Sequence, residues 1–396
     1  MRPNIQRLRD PERTTPFLDI DLDLVEGTYN RLSTALPGIR VRYTVAANPA
    51  PEIIATLAGQ GCELGVATPG ETRACLAAGV RGSDLVHLNP VRPSADIDHA
   101  WRSGIRTYVV DSEQEVQRLG AHAPGARILV RLAHGEGDGA DRPGSGKFGV
   151  SPTQAVQLAV NAADEGLDVL GLTWHMGDQQ RDLGEWDRSL SRAASVTHTL
   201  ANHGLVMRAL HLGGGLPGSY RVAAPSMASY AAAIKDGVRR HFRVGGPQVS
   251  LQIGRGLVAD SGVIVATVNG TALRPDGRRW VFLDAGHHNA ALWDVRGEAI
   301  QFRVSSLEHP PGAAMGPAVL AGPSYDESDV LYERVPYELP LDLAQGDRVA
   351  FWSAGAYTAR DAAACAGPPM TFSTDGSLPS RLDLDGRSGS ASSALA

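Results

Sequence analysis

The chain has 396 residues, 43% apolar and 20% charged, enough to bury one large core and a smaller second one, so two domains are the default expectation. A formal charge of -6 without a basic, aromatic-interleaved cluster argues against nucleic acid as a partner, and no apolar run approaches the length of a membrane span. Cys62, Cys75 and Cys365 are widely spaced and form no CxxC pair; with Met1-Arg2-Pro3-Asn4 lacking an apolar signal core, they point to reduced thiols and a cytoplasmic setting.

In chain order, the isolated apolar stretch Thr15–Ile20 comes first. Short apolar and β-branched runs then alternate with amphipathic ones. Strands are predicted over Arg40–Val45, Cys62–Ala67, Leu85–Leu88, Thr107–Val110, Arg127–Leu132, Val169–His175, Ala209–Leu212 and Val249–Ile253. Helices are predicted over Pro51–Gly59, Pro69–Ala78, Gln114–Leu119, Pro152–Ala163, Ser189–His203 and Ala228–Phe242. Eight such units are the count of a TIM (β/α)8 barrel, with an open doubly wound sheet as the alternative.

From about residue 257 the pattern turns to strands separated by turn-rich segments: Leu257–Val268, Arg279–Leu283, Val330–Val335 and Asp347–Trp352. The expected organisation is an α/β barrel over 26–256, followed by a mostly β domain made of 1–25 plus 257–382. The small, polar stretch 383–396 is expected to be a disordered tail.

Several motifs fall at the predicted strand ends and in the β region. They are Tyr43–Pro49, Ala67-Thr68-Pro69-Gly70-Glu71, Lys147-Phe148-Gly149, Trp174-His175-Met176-Gly177, Gly213-Gly214-Gly215-Leu216-Pro217, Gly254-Arg255, Gly322-Pro323 through Asp329, and Ala354-Gly355-Ala356-Tyr357. Glycines 213–215 follow a barrel strand, and without side chains they allow backbone N–H groups to approach a phosphate, although a tight βα turn would also select them. Arg255 can fork two hydrogen bonds to an oxyanion. His175 ends the sixth predicted strand, and the glycine-rich loop Gly135–Gly146 could cover the mouth.

In order and spacing over roughly residues 15 to 375, these motifs resemble the ornithine, arginine and diaminopimelate decarboxylases of the alanine-racemase fold, the pyridoxal-phosphate enzymes of fold type III. The resemblance implies pyridoxal phosphate as cofactor. It implies that Gly213, Gly214, Gly215, Arg255 and Tyr357 hold its phosphate, that His175 stacks on its ring, and that Glu71 and the residue at Gln252 lie beside it. Lys147 matches a family lysine outside the Schiff-base role. A homodimer with shared sites is also implied, in which Tyr325 and Asp326 reach the partner's barrel. The ligand class is a small amino acid or amine.

The departures from that pattern are specific. Relatives carry the Schiff-base lysine where Ala46 stands, an aspartate at Gly65, a serine at Asp178, a glutamate at Gln252, a proline at Ile253 and a cysteine at Tyr325. The only two lysines are Lys147 and Lys235, the latter expected on the outer face of a barrel helix. A carboxylate at 178 repels a phosphate, and an amide at 252 cannot hold a pyridine nitrogen protonated as a carboxylate does. Five departures besides Ala46 favour a lineage that rebuilt the site over a single deliberate replacement. Three functions remain open: a decarboxylase-like enzyme, a barrel enzyme repurposed to a metal or haem, and a non-catalytic homologue that pairs with an active relative. For the second, His175, Asp178, His211 and His287-His288 are the candidate donors, although no metal-ligand spacing motif is present.

Overall fold

The computed structural model describes residues 5–378 apart from 135–139, 143–145, 288, 291, 293–299, 311, 359–367, 375 and 377. His288, Cys365, most of the loop 135–146 and the tail 383–396 therefore lie outside the described residues. The chain divides into two compact units. One comprises Thr28–Pro217 and Ala224–Leu257, and the other Met1–Gly27, Gly218–Ala223 and Val258–Ala396.

The first unit is a closed barrel of eight parallel strands: β1 Arg40–Thr44, β2 Glu63–Val66, β3 Leu85–His87, β4 Thr107–Val110, β5 Arg127–Arg131, β6 Asp168–Thr173, β7 Ala209–Leu212 and β8 Gln248–Ile253. Each strand pairs with its sequence neighbour, and β8 closes on β1 with Ser250 opposite Arg40 and Ile253 opposite Tyr43. Thr107–Val110 is buried throughout, as expected of a parallel strand covered on both faces, whereas Arg40–Thr44 and Gln248–Ile253 interleave polar residues. Inside the barrel, Val86, Leu88, Val109, Leu129 and Ala209 form one apolar cluster, with Leu170 packed against it.

Local signals set the helix starts. Ser151 begins the helix Pro152–Asp164 with a reciprocal capping box: its Oγ accepts from Gln154 N at 3.3 Å, and Gln154 Oε1 accepts from Ser151 N at 3.1 Å. Thr68 and Ser112 accept from the third residue of their helices in the same way. Two helices, Leu22–Ala35 and Ser94–Arg102, were not anticipated. The second is nine residues long and buries only Ile97 and Ala100.

In the second unit, Gly262–Leu273 is the central strand of a nine-stranded sheet. Phe17–Asp21 pairs antiparallel with it, Phe17 opposite Val265, so the first strand of the chain joins this sheet as expected. Arg348–Trp352 and Arg279–Leu283 flank it on the same sheet. Leu8, Phe17, Val263, Val265, Trp352 and Leu378 belong to its core. Two expectations change here. The run from Leu257 begins with a helical turn and a 3-10 turn before the strand starts at Gly262. The strand expected over Val330–Val335 stops at Leu331, because Tyr332 turns into the left-handed region at φ 60°.

Candidate active site at the barrel mouth

Five segments follow the carboxyl ends of barrel strands, and they carry most of the motif residues. After β1, Val45–Ala47 forms a 3-10 turn in which Ala46 is exposed between buried Val45 and Ala47. Beyond β2, Thr68 caps the helix Pro69–Ala77, and buried Glu71 turns its carboxylate back to accept from Ala67 N at 2.7 Å. Glu71 thus serves to fix its own loop.

The segment after β6 carries His175 and Asp178. His175 Nδ1 accepts from Gly177 N at 3.0 Å, while its Nε2 lies 3.8 Å from the Asp178 carboxylate. The other oxygen of Asp178 lies 3.7 Å from the guanidinium of Arg255, which is 5% exposed just past β8. Burial lowers the pKa of His175, with Arg131 and His134 acting in the same sense and Asp178 opposing them. A neutral imidazole beside a carboxylate and a buried guanidinium is the result.

Gly213–Gly215 follows β7 and needs its glycines for close approach. A Cβ on Gly213 would collide with Trp174 O, and one on Gly214 with the His175 ring; Gly215 lies at φ 101°. Gln180 N donates to Gly215 O at 2.9 Å, and Tyr230 OH donates to Gln180 O at 2.7 Å, so the glycine loop is tied to the short strand Asp178–Gln180. That strand pairs antiparallel with Ala140–Arg142, so part of the segment read as a loop is strand. Gln179, next to Asp178, holds φ 55°, a strained value for a residue with a side chain.

Gln252 is the penultimate residue of β8 and is partly buried. Lys147 is exposed, its Nζ 4.8 Å from the Phe148 ring. Lys235 sits in the helix Met227–His241 and lines an outer cavity with Gly38, Phe242 and Gln248, beside the amino ends of β1 and β8.

In the β unit, Asp329 is 3% exposed, accepts from His287 N at 2.8 Å and Ser324 N at 3.2 Å, and so holds the loop Ser324–Asp326. Tyr325 at the tip of that loop is fully exposed. With Arg274, Trp280, Phe282 and Asp326 it lines a cavity of about 620 Å3. Tyr357 holds φ 63°.

Of the candidate metal donors, His175 and Asp178 lie 3.8 Å apart at the mouth and His288 lies outside the described residues, while His211 and His287 are engaged elsewhere. His211 points away from the mouth, its ring hydrogen-bonded to Arg42 near the opposite end of the barrel. His287 spends its ring nitrogens on Leu292 O at 3.0 Å and Val330 O at 3.1 Å. No group of three or more His, Cys, Asp or Glu placed to hold a metal is found among the described residues. Cys62 and Cys75 are buried free thiols, pushed up to about 12 by burial. Among the described residues no helix is long and apolar enough to cross a membrane. Sequence reading had passed over Gln180, Tyr230 and Leu88, whose roles depend on contacts between distant segments.

A closed parallel barrel with a histidine, an arginine and a glycine loop at the carboxyl ends of its strands defines a protein whose chemistry sits at that mouth. The chain belongs to the pyridoxal-dependent decarboxylases: the profile of their pyridoxal binding domain matches residues 22–259. It is 29% identical over 378 residues to a lysine/ornithine decarboxylase of Selenomonas ruminantium, covering 94% of this chain and 93% of that one. It superposes with a TM-score of 0.82, at 26% identity, on the structure of a lysine/ornithine decarboxylase from Vibrio vulnificus complexed with cadaverine, covering 93% and 97% of the two chains. A shorter match, 26% over 219 residues, is to antizyme inhibitor 2 of Xenopus laevis, covering 55% of this chain and 48% of that one.

The donor set at the mouth tests the fit of the pyridoxal group that the family description implies. An imine cannot form at position 46, where the side chain is a methyl group. A phosphate on Arg255 would stand against the Asp178 carboxylate, 3.7 Å from the same guanidinium. The residues present therefore do not fit a pyridoxal phosphate anchored at 46 with its phosphate on Arg255.

Proposed function

We propose that this chain is a decarboxylase-family protein with a remodelled mouth, which binds an amino acid or other amine-bearing small molecule without a lysine imine to pyridoxal phosphate. The observation that carries this reading is Asp178, set between His175 at 3.8 Å and Arg255 at 3.7 Å and accompanied by the methyl group of Ala46. A carboxylate and a guanidinium side by side match the ammonium and carboxylate of a zwitterion, each replacing its partner's countercharge with that of the ligand. Cadaverine in the similar Vibrio structure supports the amine class.

We further infer a homodimer with shared mouths, in which the exposed Tyr325 and neighbouring Asp326 reach the partner's barrel. The buried free thiols of Cys62 and Cys75 support a cytoplasmic setting. A second reading is a non-catalytic homologue that pairs with an active decarboxylase; one relative in the family carries the name of an inhibitor, antizyme inhibitor 2, and not of an enzyme.

Titration calorimetry with lysine, ornithine and cadaverine tests the primary reading. Binding of at least one, weakened about tenfold or more by Asp178→Asn, is expected. No heat from any of them, or binding indifferent to Asp178→Asn, contradicts it. No carbon dioxide release by this chain alone, together with a change in the rate of an active relative when this chain is added to it, favours the second reading.

A further inference from the structure

A cavity of about 1010 Å3 in the barrel unit is at the end opposite the mouth. Its wall includes the first residues of seven strands, among them Arg40, Glu63, Thr107, Arg127 and Gln248, together with the loops that lead into them. This is the amino-terminal end of the barrel, which in such folds ordinarily serves stability and is packed with branched aliphatic side chains.

Here it is open and basic. Arg40, Arg42, Arg81, Arg127 and Arg208 line it, five guanidinium groups against the two lining carboxylates of Glu63 and Asp84 and that of Asp168, which pairs with Arg208. Small residues of the surrounding helices and loops, such as Ala55, Ala58 and Gly61, leave its volume unfilled. Glu63 is shared between Arg40, at 2.9 Å, and Arg42, so one carboxylate serves two cations. No carboxylate pairs with Arg127 among the described residues.

Arg42 is the most telling member. Its side chain is only 6% exposed, one nitrogen meets Glu63, another meets His211, and Nε has no hydrogen-bond partner among the described residues. His211 brings no negative charge; burial, and then Arg42 itself, push its pKa well below the usual histidine range. A desolvated guanidinium paired with a neutral imidazole and half of a carboxylate is undercompensated, and a burial this costly calls for an anion.

We propose that this amino-terminal cavity is a second ligand site, for a small phosphate- or pyrophosphate-bearing molecule held by Arg42, Arg127 and Arg208. The volume suits a small-molecule ligand, and guanidinium groups bind tetrahedral oxyanions through forked hydrogen bonds. Its ligand and the mouth's ligand enter from opposite ends of the barrel, so the site is independent of the function proposed above.

Titration calorimetry of the full chain with inorganic pyrophosphate at constant ionic strength tests this. Arg127→Gln and Arg208→Gln are the informative variants, since both side chains are partly exposed and their loss should leave the barrel folded, whereas Arg42→Gln risks unfolding it. Each is expected to weaken pyrophosphate binding about tenfold, while Arg255→Gln at the mouth leaves it unchanged. Absence of binding overturns the proposal. So does binding that Arg127→Gln and Arg208→Gln leave intact, or binding that Arg255→Gln abolishes.

Discussion

Leu88 fills the space above Gly65 inside the barrel: a Cβ built on Gly65 would lie 2.5 Å from Leu88 Cδ1 and 2.9 Å from its Cγ. The resembling decarboxylases place an aspartate at position 65. In this chain the missing side chain and the leucine are complementary, and the leucine joins the apolar cluster of Val86, Val109, Leu129 and Ala209. Returning a carboxylate to 65 would overpack that cluster and bury a charge in it. Gly65→Asp is expected to destabilise the fold by about 3–5 kcal/mol in denaturant titration. Paired with Leu88→Ala, it should cost clearly less than the sum of the two single changes, since the second removes the obstruction. Additive costs would show that the two positions are not coupled.

Acid should weaken the barrel through His87. This side chain is 1% exposed, accepts a hydrogen bond from Arg92, and is held at a pKa of about 3 by burial and then by the Arg92 charge. The folded value lies below the unfolded one of 6.5, so the unfolded chain binds the extra proton first as pH falls. Stability from this group is therefore complete above about pH 6.5 and is lost as pH falls toward 3. The slope is up to about 1.4 kcal/mol per pH unit. His87→Gln should flatten that slope in melts between pH 7 and pH 4, and an unchanged slope would assign the acid sensitivity elsewhere.

At the mouth, Asp178 raises the pKa of His175 against the lowering effect of burial. Asp178→Asn should therefore move the His175 titration to lower pH in ring-proton NMR; an upward shift would mean that the two side chains do not interact as described. The same carboxylate limits rescue. Ala46→Lys alone is expected to leave carbon dioxide release from ornithine and diaminopimelate at background, because Asp178 and Gln252 remain.

Shared mouths have their own signature. Tyr325→Ala and His175→Ala each remove one proposed component of a composite site, so mixing the two inactive homodimers should return up to about a quarter of wild-type ligand binding or activity, through the one intact mouth of each heterodimer. Light scattering first establishes the oligomeric state. A monomer that keeps full ligand binding contradicts the arrangement.

Much of the barrel was legible in the sequence because its strands are short, apolar and evenly spaced by capped helices. Thr107–Val110 and Ala209–Leu212 coincide with expectation, and so does the helix Pro51–Gly59. The β unit was less legible. Met315–Ala321 and Tyr337–Pro340 contain Pro317 and Pro340, which argue against strands when read alone, and Arg303–Ser306 has no fully buried residue to mark it. At the site, the motif order located His175, Asp178 and Arg255, but not the reach of Asp178 to both of the others. Nor could spacing reveal that His211 turns to Arg42, or that Leu88 occupies the volume over Gly65; both contacts join segments far apart in the chain.

The central claim is that the mouth holds no lysine imine to pyridoxal phosphate. Incubation of the purified protein with pyridoxal phosphate, borohydride reduction and mass mapping of the peptides tests it most directly. The account predicts no specific phosphopyridoxyl group on Lys147 or Lys235, since the former is an exposed residue beside Phe148 and the latter lies in an outer helix. A stoichiometric adduct on Lys147 would contradict it and identify a relocated Schiff base.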